Sequence, residues 1–82
     1  MENTTKGLIT ETEKMLAKIK EKRKSLKIVD STKIEMVDNI DAYISDTSHF
    51  LEKNDMIRAF EAVVWAWAWI EILEELGVVK TE

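Results

Sequence analysis

The sequence predicts an all-α protein, an up-down-up antiparallel three-helix bundle with helices at about residues 5–27, 32–53 and 55–76. Three observations predict it. Apolar residues recur at three- and four-residue steps through most of the chain. Proline is absent and glycine occurs only at Gly7 and Gly77, too little punctuation for a fold of strands and turns. The two breaks in the apolar pattern are short, which makes successive helices antiparallel neighbours.

The first helix is expected to begin near Thr4 or Thr5, either of which can cap it. Leu8, Thr12, Met15, Ile19 and Leu26 form its stripe, broadened by Ile9 and Leu16, and the pattern fades near Lys27. The first connection, "IVDSTKIE", contains Thr32 followed by Glu35, a capping-box spacing, with Ser31 as a rival cap. The second helix places Met36, Val37, Ile40, Tyr43, Ile44, Thr47, Phe50 and Leu51 on one arc. The second connection is "EKND". Asn54 suits the left-handed conformation that ends a helix, and Asp55 suits the cap of the next. Gly77 stops the third helix, and Val78 and Val79 are placed to fold back on its last turn.

The stretch "AVVWAWAWIEIL", Ala62–Leu73, sets Trp65, Trp67 and Trp69 two apart, as a buried strand would. Length decides for a helix. The apolar pattern spans about twenty residues and strands rarely exceed ten. Its alanines agree, being strong helix formers and poor in strands.

Eighty-two residues form one domain, 1–82, with residues 1–4 and 80–82 expected to fray. A domain this small buries only about 60% of the surface its unfolded chain exposes. There is no cysteine and one histidine, so neither disulfides nor a metal can staple it. Apolar packing or a partner chain must do so. The missing cysteine fits the cytoplasm, the expected location. Met1 to Thr10 holds no signal pattern, and no window approaches the roughly 18 apolar residues of a membrane span.

Heptad lettering of the third helix with Glu61, Ala68 and Glu75 outward buries Met56, Val63, Ile70, Ala59, Ala66 and Leu73. Ala62, Trp69, Leu76, Phe60, Trp67 and Glu74 flank them. Ile57, Val64, Trp65 and Ile72 are left near water. Trp65, Trp69, Ile72 and Leu76 make a stripe at steps of four, three and four. With Ile57 and Val64 they are the candidate interface, since aromatic residues on an apolar patch furnish interface centres.

Charge is segregated. From Lys6 to Lys27 there are eight basic and three acidic residues; from Ile28 to Asn54, and again from Asp55 to Glu82, there are two and six. "KIKEKRKSLK" offers Lys20, Arg23, Lys24 and Lys27 as candidates for nucleic acid. It lacks interleaved aromatics, and the domain as a whole carries a net charge of −4. The parallel first and third helices would instead bring Lys20 to Lys27 beside Glu71, Glu74 and Glu75. Those acids sit at the unfavourable negative end of their own helix, and lysines would offset them.

His49 is the only histidine. Asp46 and Glu52 lie three residues to either side, so Asp46 and His49 are the candidate polar pair. Asp38 and Asp41 share a helix edge. A structural zinc site wants four ligands, usually Cys or His, and these are not supplied. There is no phosphate loop, nucleophilic triad or reactive cysteine, so no enzyme, metal or cofactor is expected.

Ala42-Tyr43, Ser45-Asp46, Phe50-Leu51-Glu52-Lys53, Asp55, Ala59-Phe60-Glu61, Ala66, Trp69 and Leu76-Gly77 resemble an archaeal family of proteins of unknown function, number 357 in its series. The resemblance covers the second and third helices, about half the chain. The family commonly has Tyr, Ala, His, Gly where this chain has Trp65, Ala66, Trp67 and Ala68, so a polar side chain gives way to Trp67. It often has Asp in place of Glu71. The resemblance implies a compact three-helix bundle and no assigned activity. Some relatives resemble additions to nucleotidyltransferase-like domains, which implies an accessory role. Tyr43, Phe50, Ala59, Val63 and Ala66 also resemble the packing positions of one tetratricopeptide unit. A single copy stacks no solenoid. These readings predict an interaction module, homodimeric through the third helix or bound to a protein partner. The alternative is an accessory nucleic-acid domain using the first helix.

Overall fold

The computed structural model describes the backbone of residues 2–81 and the side chains of residues 6–81. The elements are α1 (Glu2–Ser25), β1 (Leu26–Ile28), a 3₁₀ turn (Ser31–Lys33), α2 (Ile34–Glu52), α3 (Met56–Glu75) and β2 (Val79–Thr81). The helices form the bundle the apolar periodicity predicts, within an envelope of 45 × 20 × 17 Å. Added to it is an antiparallel strand pair that the sequence reading lacks. Leu26 faces Thr81, Lys27 faces Lys80, and Ile28 faces Val79.

That clasp corrects two expectations. The first helix ends at Ser25 rather than Lys27. The Ser25 hydroxyl donates to the carbonyl of Lys22 at 3.0 Å, and Leu26 leaves the helix to become a buried strand residue. The tail expected to fray from residue 80 is instead paired at Lys80 and Thr81. The cause is the turn at Gly77, whose φ of 73° only glycine adopts freely. Val78 N–H donates to Leu73 O at 2.9 Å and Gly77 N–H to Glu74 O at 3.1 Å, the bond pair of a Schellman turn. The chain then reverses along the last turn of α3 and buries Val78 and Val79. The carbonyl of Val78 accepts from both Val29 N–H (2.8 Å) and Asp30 N–H (3.1 Å). Of the start expected to fray at residues 1–4, Met1 falls outside the described residues. The backbone is already helical at Glu2, so α1 starts before Thr4 and Thr5.

Neither Thr32 nor Ser31 caps α2. Asp30 does the work one turn earlier, accepting from the backbone N–H and the hydroxyl of Thr32 and so holding the 3₁₀ turn that feeds α2. A carboxylate is a better acceptor for those two donors than a hydroxyl. The second connection forms as expected. Asn54 takes φ 58°, and Asp55 N–H donates to Phe50 O at 2.9 Å. The Asp55 carboxylate accepts from Arg58 N–H at 3.2 Å, which caps α3. Asp55 therefore closes one helix with its amide and opens the next with its side chain.

The core is the face the periodicity marks. Leu16 and Ile19 of α1, Val37 and Ile40 of α2, and Val63, Ala66, Ile70 and Leu73 of α3 are buried, joined by Leu26, Val78 and Val79 from the clasp. Among the described residues, the two buried polar side chains, Thr12 and Thr47, each bond the carbonyl four residues back, Leu8 O and Tyr43 O, at 2.7 Å. Those bonds satisfy the hydroxyls and let threonine occupy a core position. α1 and α3 run parallel. Trp67 Nε1 donates to Met15 O at 3.2 Å, and one heptad on, Lys22 Nζ lies 3.0 Å from Glu74 Oε1.

The two glycines are expected to respond oppositely to alanine. At Gly77 a side chain meets no neighbour but must hold a left-handed φ, so Gly77→Ala costs about 1 kcal/mol. At Gly7, inside α1 and free of neighbours, Gly7→Ala gains about 0.5–1 kcal/mol. Urea unfolding of the two variants checks both signs.

Candidate functional site

Alanine spacing on α3 decides what faces out. Ala59, Ala62 and Ala66 are buried against the bundle, so larger side chains stand on the flanks and the outer surface. Of the six candidate interface residues, five are exposed: Ile57 68%, Val64 39%, Trp65 53%, Ile72 44% and Leu76 65%. Trp69 differs. It is half-buried and packs on the core, in keeping with its flanking position on the helix. Ile28, Val29 and Ile34, around the clasp and the start of α2, are further exposed apolar side chains that the sequence reading did not single out.

The basic strip is engaged within the chain. Arg23 donates from Nε to Asp41 Oδ1 at 2.7 Å and from Nη2 to Oδ2 at 3.1 Å, a two-pronged link between α1 and α2. The bond to Asp41 pushes the guanidinium pKa up further, against a smaller opposing effect of burial. Lys24 pairs with Glu21 at 3.2 Å on an exposed face. Lys27 stands in β1 opposite Lys80, off the helix where it was expected, and Lys20 is exposed on α1.

The expected meeting of α1 lysines with α3 acids occurs at Lys22 and Glu74. Lys22 Nζ also lies 5.4 Å from the centre of the Trp67 ring, within cation–π range. Thr81 donates to Glu74 Oε2 at 3.0 Å, so one carboxylate ties α1, α3 and β2. These bonds hold the Glu74 pKa below the usual carboxylate range, the bond from Lys22 contributing most and partial desolvation opposing it.

Asp46 and His49 part company. His49 is exposed and sets its ring edge to face on Phe50, centroids 5.8 Å apart. Asp46 lines an open groove of about 280 Å³ between α2 and α3, with Tyr43 and Phe50 on its own helix and Arg58, Glu61, Ala62 and Trp65 across. The Tyr43 and Trp65 rings stack at 6.4 Å with a 22° interplanar angle. Tyr43, Asp46 and Phe50 are three and four residues apart on α2, so one helical face carries all three. That spacing is in the sequence. The groove is not, because it exists only once α3 lies antiparallel beside α2. Among the described residues, no three His, Asp or Glu side chains gather as a metal would need, and no helix is long and apolar enough to cross a membrane.

A three-helix bundle closed by a C-terminal strand clasp is the class these features define. The family described as "Protein of unknown function (DUF357)" matches residues 9–79, reaching back across α1, and the chain belongs to it. A crystal structure of a protein of this family from Archaeoglobus fulgidus is similar throughout: 44% identity, a TM-score of 0.86, and coverage of 96% of this chain and 99% of that one. No curated protein matches the chain.

A carboxylate with a depressed pKa adds stability that is present above its unfolded pKa and is lost as pH falls through its folded value. Glu74→Gln is therefore expected to cost about 0.5–1 kcal/mol at neutral pH, and to cost nothing once acid has protonated the wild-type carboxyl. Urea titrations of both proteins at about pH 7 and about pH 2 check the difference.

Proposed function

We propose that this protein is a non-catalytic interaction module that self-associates through the outward face of α3. The carrying observation is the exposure of Ile57, Val64, Trp65, Ile72 and Leu76 along a single helix. A contiguous apolar surface of that kind is unusual on a protein that remains a monomer. Ala68 lies in the middle of this stretch and is small enough to let a second helix approach closely.

Charge selects the orientation. The C-terminal half of α3 carries Glu71, Glu74 and Glu75 at the negative end of its dipole, while Arg58 lies near the positive end. Parallel copies would set like against like. An antiparallel pair sets the acidic end of each helix against the Arg58 end of the other, which is compatible with a two-fold axis. The net charge of −4 on each copy opposes association, and salt screens it. The pairs made by Arg23 with Asp41 and Lys22 with Glu74 favour internal use of the basic strip over nucleic acid.

Sedimentation equilibrium is expected to show a dimer that strengthens with salt. Val64→Glu, at an exposed position that the fold tolerates, is expected to weaken it at least tenfold. A strict monomer at high concentration, unchanged by salt, overturns the reading.

A further inference from the structure

We propose that the groove between α2 and α3 receives the ammonium group of a lysine side chain presented by a protein partner. This does not rest on the self-association above, although Trp65 belongs to both surfaces.

Three aromatic side chains, Tyr43, Phe50 and Trp65, line one small concavity. Aromatic faces are the negative ends of ring quadrupoles and attract cations. Two carboxylates share the lining, Asp46 from α2 and Glu61 from α3. Neither makes an ion pair among the described residues. The one cation in the lining, Arg58, has Nε 3.6 Å from Asp55 Oδ2, so its charge is offset outside the groove. What remains is an aromatic site whose lining, with two carboxylates and one guanidinium, keeps a net negative formal charge.

The chemistry of the occupant follows from the walls. The carboxylates come from opposite helices. A compact ammonium with three divergent donors suits a narrow concavity with a carboxylate on each wall, whereas a guanidinium is broader and planar. Ala62 forms part of the lining with a methyl group, which leaves depth for a narrow alkyl stem. Size and openness favour a side chain over a free metabolite. About 280 Å³ lies just below the usual range of small-ligand pockets, and those enclose most of their ligand. A lysine projecting from a partner's surface needs no such enclosure. Trp65, held by its stack on Tyr43 yet 53% exposed, sits at the mouth as a preset contact.

The test is an NMR titration of the intact protein with Nα-acetyl-lysine methylamide. The neutral Nε-acetyl-lysine and the arginine counterparts serve as comparisons. Lysine is expected to bind in the millimolar range and to shift the Trp65 indole and the Tyr43 and Phe50 ring signals, while the acetylated probe leaves them unmoved. Asp46→Asn and Glu61→Gln, both exposed and near-isosteric, are each expected to weaken binding about fivefold, the size of one exposed charged contact. Trp65→Leu is expected to do likewise. Equal response to the acetylated probe, equal or tighter binding of arginine, or no shift at the groove overturns the proposal. The Val64→Glu monomer is expected to bind lysine at least as tightly as wild type, since no second copy then covers Trp65, which separates this result from the oligomeric one.

Discussion

The close approach of α2 and α3 depends on three alanines. Ala59, Ala62 and Ala66 sit on the inner face of α3, each nearly or fully excluded from water. Where a methyl group is all that separates two helices, their axes come near one another and the core between them is thin. The bulk that would otherwise fill that core must stand elsewhere. In "WAWAW" the first alanine, Ala66, points in, Trp67 leans on α1, Trp69 packs on the core, and Trp65 is left outside. Small residues inside and large ones outside are one constraint seen from two sides. The exposed apolar face and the groove beside it both follow from it.

The helical architecture was legible because its signals are local and redundant. Each helix carries its own period, and Asn54, Asp55 and Gly77 punctuate the chain by conformational preferences that need no tertiary context. The clasp was illegible for the opposite reason. "LKI" and "VKT" are three residues each, too short for alternation to register, and the partners are over fifty positions apart. Leu26 continued the apolar stripe of α1, so periodicity alone assigned it to the helix. Asp30 lost the cap assignment to Thr32 because a capping box is scored by its spacing, and the 3₁₀ turn shifts the frame.

The candidate surface shows the same division. Rotation about α3 identified Ile57, Val64, Trp65, Ile72 and Leu76 from sequence, since exposure on a helix is a matter of angle. Trp69, lettered to a flank as well as to the stripe, is half-buried at that flank. Asp46 was picked out for its neighbour His49, on the same helix. Its structural companions are Glu61 and Trp65, on another helix, which single-helix spacing cannot reveal. Lys22 was noticed only as part of a basic run. Its contacts with Glu74 and Trp67 show it as the residue that fixes the parallel register of α1.

Separation along the chain also sets an order of assembly. α2 and α3 are joined by a tight turn and can zip together as soon as both exist. α1, though it precedes them, has few contacts with its sequence neighbour α2, and the β1 strand that follows it pairs with a segment some fifty residues later. Closing so long a loop carries an entropic cost that local contacts avoid. A nascent chain would thus hold its basic helix undocked until α3 had emerged. The β2 strand then clasps the segment that follows α1.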